Sequence, residues 1–84
     1  MAIVHITAEA RQQARRLPKA MRGRIMKLVA RLEDWPAVSG VKALSGKLTG
    51  TYRLRTGDYR LRFRVDGETV IVDKIGHRKD VYDD

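Results

Sequence analysis

Residues 52–67 read Tyr-Arg-Leu-Arg-Thr-Gly-Asp-Tyr-Arg-Leu-Arg-Phe-Arg-Val-Asp-Gly, and the alternation on either side of Thr56-Gly57-Asp58 decides the fold. Apolar and basic side chains take turns with a period of two, the mark of a strand with one buried and one open face. Residues 52–55 and 59–65 are therefore two strands joined by a turn, and Asp66-Gly67 is a second hairpin signal. The segment that follows, residues 69–75, is apolar on both sides around Asp73, as a central strand would be.

Working outward, residues 2–6 (Ala-Ile-Val-His-Ile) are short and β-branched and read as a strand ending at Thr7, a good N-cap. Over residues 8–17, Ala10, Ala14 and Leu17 recur at helical spacing while Arg11, Arg15 and Arg16 take other faces. Pro18 is tolerated only in a first helical turn, so it ends one helix and opens the next. That second helix runs to about residue 34 on an apolar stripe of Met21, Ile25, Leu28, Val29 and Leu32. Trp35 stands before Pro36, which biases it out of the α region and closes the helix. Residues 37–50, with Gly40, Gly46 and Gly50, form an irregular connection anchored by Val41 and Leu44. The order β-α-α-β-β-β predicts an α+β domain: two N-terminal helices packed on one face of a mostly antiparallel four-stranded sheet.

The chain's 84 residues leave room for a single domain, residues 1–84. It has no cysteine, which excludes disulfides, thiolate catalysis and Cys-type zinc sites. Its formal net charge is +8, from 18 Lys and Arg against 10 Asp and Glu. Twelve of the 18 cations are Arg, the side chain suited to planar, bidentate phosphate recognition, so the expected partner is a polyanion. No apolar run approaches the about 20 residues of a membrane span, and residues 1–6 lack the charged and apolar regions of a signal peptide. A cytoplasmic protein with no membrane partner is expected.

With the helices on the side of Tyr52, Leu54, Tyr59, Leu61, Phe63 and Val65, the side chains of Arg53, Arg55, Arg60, Arg62 and Arg64 share the other face, with only Asp58 nearby. A solvated sheet face filled with Arg stems is the plain alternative, but like charges across strands repel and a nucleic-acid backbone would relieve them. Gly76-His77-Arg78-Lys79-Asp80-Val81-Tyr82 adds two cations, an imidazole and a phenol, expected close to that face. Such a set fits RNA cleavage, in which a 2′-OH attacks the adjacent phosphorus. That reaction needs a base, an acid and cations for the phosphoryl charge. Arg supplies the cations without a metal, and His77 is the nearby side chain of a type that moves protons at neutral pH.

The run Gly50-Thr51-Tyr52-Arg53-Leu54-Arg55-Thr56-Gly57-Asp58-Tyr59-Arg60, with Gly76-His77-Arg78 and Val81-Tyr82, resembles the RelE/ParE family of bacterial toxins over nearly the whole chain. The RelE branch implies a type II toxin–antitoxin toxin that cleaves messenger RNA in the ribosomal A site. A cognate, acidic antitoxin would neutralise it. No cofactor or metal is implied. Carried over by position, the resemblance gives Arg60 and Arg78 to phosphate charge, Tyr82 to orienting the nucleotide and His77 to proton transfer. Arg53 and Arg55 position RNA, and Arg62 and Lys79 join them as RNA-binding cations. Where the best-known relative has lysines this chain has Arg53 and Arg55, and arginine is too weak an acid to serve readily as a base. Two alternatives stand beside this reading: gyrase poisoning, as in the ParE branch, and a non-catalytic module that lays its Arg-rich ribbon in a DNA groove.

Overall fold

The structure, a computed structural model, describes residues 1–81. Its elements are β1 (Ile3–Ile6), α1 (Ala8–Arg15), α2 (Lys19–Arg31), β2 (Lys42–Ala43), β3 (Thr51–Thr56), β4 (Tyr59–Asp66) and β5 (Thr69–His77). The class is α+β, as the sequence predicts, but the sheet has five strands in the order β1-β5-β4-β3-β2 rather than four. The added strand β2 is two exposed residues paired with Arg53 and Tyr52, too short to show any alternation. β1 runs parallel to β5 and every other pair is antiparallel.

Local chemistry accounts for the helix ends. The Thr7 hydroxyl accepts the Ala10 N–H at 3.1 Å, an N-cap bond that satisfies one of the first-turn donors. Pro18 sits at the N-cap of α2 with extended backbone, just outside the helix rather than in its first turn. A 3₁₀ turn, Leu32–Asp34, follows α2, and Trp35 leaves the helical region there.

Ala10 and Ala14 of α1, with Ile25, Leu28, Val29 and Leu32 from the second helical segment, bury against Leu54, Leu61, Phe63, Val70, Val72 and Ile75 of the sheet. Phe63 is fully buried, and its ring lies 5.3 Å from Trp35 and 5.4 Å from Tyr52. Burying a side chain of this kind contributes about 1.5–3 kcal/mol, which makes this cluster the main support of so small a domain. Met26 of α2 lies off this cluster and is 47% exposed.

The two hairpin loops are Gly57-Asp58 and Gly67-Glu68, bounded by the pairs Thr56–Tyr59 and Asp66–Thr69. In each the glycine comes first and has positive φ, +58° and +60°, a conformation other residues rarely adopt. Asp66 thus closes β4 rather than entering the turn. β5 runs two residues beyond the predicted end, so that Gly76 faces Arg60 and His77 faces Tyr59. β1 ends opposite Val72, and past it the Gln13 side chain of α1 accepts the Ile75 N–H at 2.8 Å.

One irregularity in β5 governs which side chain faces which way. Phe63 pairs with Val72 and Arg62 with Lys74, leaving Asp73 as a bulged residue with no partner in the ladder. The extra residue resets the alternation, so Val70, Val72 and Ile75 all face the core. The apolar flanks that resemble a two-sided central strand are largely one face read across a bulge.

Candidate nucleic-acid interface

Because side chains alternate along a strand and directly paired residues share a face, the register places Arg53, Arg55, Arg60, Arg62 and Arg64 together on the face away from the helices. Arg55 stands opposite Arg60, and Arg53 opposite Arg62. Arg60 is central: its other neighbour is Gly76, which leaves space above the strand. Val81 fills part of that space, since a Cβ on Gly76 would lie 3.5 Å from Val81 Cγ2, and Val81 is almost fully buried. The segment after β5 therefore folds back beside Arg60. Arg53 and Arg60 are half-buried and engaged within the molecule, whereas Arg55 is exposed.

The expectation that only Asp58 tempers this charge is corrected by Asp73. Its Oδ1 lies 3.0 Å from Arg62 Nε and its Oδ2 lies 3.1 Å from Arg64 NH1. Asp73 follows core-facing Val72 in the ordinary alternation and so reaches the open face, where the bulge sets Lys74 on the same side, opposite Arg62. Sequence reasoning missed it because a strand read as apolar on both sides gives no sign of which face its one carboxylate takes.

At the turn end of the sheet, the Arg78 N–H donates to the Asp58 carbonyl at 2.7 Å, tying the terminal segment to the β3–β4 loop. The Arg78 and Asp58 side chains approach only to 4.0 Å and are both more than half exposed, so their charge pairing is weak. Lys79 is exposed on the same segment. Tyr82 lies outside the described residues.

His77 is not where the sequence places it. Its partner across the ladder is Tyr59, a helix-side residue, and the two rings meet edge-on at 5.4 Å. With Gln13, Arg16, Leu17 and Tyr59 it lines an open cavity of about 350 Å³ below the end of α1. The Lys79 N–H donates to His77 Nδ1 at 3.2 Å, so in the neutral ring the proton sits on Nε2. The bulge causes this placement, because the shifted alternation carries His77 with Ile75 to the helix side. The structure thus gathers Arg53, Arg55, Arg60 and Arg62 on one face and puts His77 on the other.

Among the described residues, no three His, Asp or Glu side chains cluster as a metal site, and no helix is long and apolar enough to cross a membrane.

A helical pair covers one sheet face and leaves an arginine-dense face open, and solved chains of RelE-like toxins share this architecture. The fold matches a chain of the RelBE2 toxin–antitoxin complex of Mycobacterium tuberculosis with a TM-score of 0.79 and 28% identity, covering 92% of this chain and 98% of that one. Toxin RelG of Mycobacterium tuberculosis is 34% identical over 82 residues, 94% of this chain and 93% of its own. Toxin RelE3 of Methanocaldococcus jannaschii is 31% identical over 70 residues, 80% of each chain. The chain belongs to the family described as the ParE toxin of type II toxin-antitoxin system, parDE, which it matches over residues 4–82. It is a toxin of a type II toxin–antitoxin system. The family carries the ParE name while the two relatives are named RelG and RelE3, so membership defines a toxin and leaves its target to the chemistry of the open face.

Proposed function

We propose that this toxin is an endoribonuclease that cleaves messenger RNA on the ribosome. The observation that carries the reading is Arg60, half-buried at the centre of an open face that it shares with four other arginines. In the reaction the 2′-oxygen loses its proton and bonds to phosphorus, the bond from phosphorus to the 5′-oxygen breaks, and that oxygen takes up a proton. The products are a 2′,3′-cyclic phosphate and a 5′-hydroxyl. Negative charge grows on the phosphoryl oxygens as the bonds exchange, and preformed cations aimed at those oxygens stabilise it most. Arg60 fills this role together with Arg78, while Arg53, Arg55 and Lys79 hold the strand and Tyr82 orients the nucleotide. His77 faces the helices with its Nδ1 occupied, so this reading gives it the shape of the terminal segment rather than the proton. The neutralising partner is an acidic antitoxin, in keeping with the +8 charge and with the complexes formed by related toxins.

Primer extension on a reporter message in a translating extract tests the reading. New 5′ ends within codons are expected, reduced about 10²–10³-fold by Arg60→Ala, the typical effect of losing one transition-state donor. Intact message in the presence of folded wild-type protein refutes it. Gyrase inhibition is the second reading, favoured by the family's ParE name, and loss of supercoiling activity on adding the protein would establish it.

A further inference from the structure

We propose that Asp73 is a built-in end stop for the phosphate-binding face, its carboxylate occupying the place that an RNA phosphate would otherwise take between Arg62 and Arg64. The inference rests on the RNA-binding reading and adds where the bound strand stops. Each oxygen of Asp73 meets a different arginine, at 3.0 and 3.1 Å, which is how a bridging phosphate would use two of its oxygens. The carboxylate is held firmly: the Asp73 side chain is only 17% exposed and its backbone is fixed in the bulge. A phosphate reaching Arg62 or Arg64 would have to approach a fixed negative charge that already engages one donor of each.

The open face beyond this point agrees. Past Arg64 the register brings Ile71, Asp66, Thr69, Ile3 and His5, with no lysine or arginine among them. The face is thus divided. Arg53, Arg55 and Arg60, with Lys42 opposite Arg53, form the cationic side; Asp73 offsets part of the charge of Arg62 and Arg64 at a boundary where Lys74 stands opposite Arg62, and a strip that carries Asp66 and no cation lies beyond. Arg62 therefore belongs to the boundary and not to the RNA-binding set expected from its sequence position. The device limits how many phosphates a +8 protein engages, and so limits its hold on nucleic acid in general.

Salt dependence counts phosphates, because each one neutralised on a single strand steepens the slope of log K against log salt by about 0.7. The probe is a 2′-O-methylated single-stranded RNA, which lacks the nucleophile, titrated by fluorescence anisotropy at several salt concentrations with folding checked by circular dichroism. Asp73→Asn is expected to steepen the slope by about 0.7–1.4, for one or two added phosphates. Its advantage over wild type then shrinks by about 3–7-fold between 50 and 200 mM salt. Arg64→Gln is expected to leave the wild-type slope unchanged but to remove at least half of the gain in the Asp73→Asn background. Should Asp73→Asn fail to fold, Arg64→Gln in the wild type still decides, since a shallower slope shows that Arg64 already binds phosphate and overturns the proposal. An unchanged slope for folded Asp73→Asn overturns it as well. If wild type binds, and binds less tightly after Arg60→Ala, either result removes the end stop alone. Absence of any binding by wild type and Asp73→Asn removes both the end stop and the RNA reading.

Discussion

Deleting Asp73 outright is expected to leave the fold standing, an unusual outcome for a deletion within an interior strand. The residue is the unpaired member of the bulge, so its removal lets Phe63–Val72, Arg62–Lys74 and Leu61–Ile75 continue as a regular ladder with every side chain on its present face. What is lost is the ion pair with Arg62 and Arg64. Arg64 is about half exposed, so that pair is worth about 1 kcal/mol, and leaving the two guanidinium groups without it adds a few tenths. The total is about 1–2 kcal/mol, against about 4–13 kcal/mol for the stability of a domain this size. Deleting Ile71 is the contrast. Keeping the later pairs then sets Asp73 opposite Phe63 in the core, and keeping the earlier bulge turns Val70 out to solvent. The first costs several kcal/mol for a buried carboxylate, and the second about 1.5–3 kcal/mol of lost burial plus a mismatched β1. Urea unfolding followed by circular dichroism compares the two. A deletion of Asp73 that unfolds the protein, or costs as much as deletion of Ile71, refutes the bulge as the source of the side-chain pattern.

Gly23 of α2 has nothing within 4 Å of where a Cβ would stand, so Gly23→Ala is expected to stabilise the protein by about 1 kcal/mol, read as a higher urea midpoint at unchanged slope. His77→Gln is expected to leave the pH dependence of cleavage unchanged, because the imidazole lies on the helix side with Nδ1 engaged. A flattened profile in the variant would return the proton-transfer role to His77.

The parts of the molecule legible in the sequence were those in which a period repeats. Tyr52, Leu54, Leu61 and Phe63 alternate with arginines over enough residues to define both hairpin strands and both of their faces, and Ile25, Leu28, Val29 and Leu32 do the same for the second helical segment. Lys42–Ala43 pairs as a strand through its backbone alone, and two residues contain no period. The bulge was equally silent, since an inserted residue changes parity without changing composition. That single offset explains why the arginine face is legible in the sequence while the side occupied by His77 is not. Gln13 could not have been singled out, because its acceptor role depends on β1 ending four residues into a strand that runs on to His77.

The parallel pairing of β1 with β5 also sets an order of assembly. Residue 3 waits for residue 69, a separation of 66 positions, whereas β3, β4 and β5 meet through two-residue loops. Non-local pairings of the first kind are slow to close. During synthesis, α2 is complete at residue 31 and β5 at residue 77, so 77 − 31 = 46 residues must still be added before the sheet exists. At about 5–20 residues per second this takes roughly 2–9 s, during which Ile25, Leu28 and Val29 have no sheet to cover them. Any chain with a complementary apolar face can hold the nascent helices in that interval. The arginine face, built from the last three strands to be made, is the last part of the toxin to come into being.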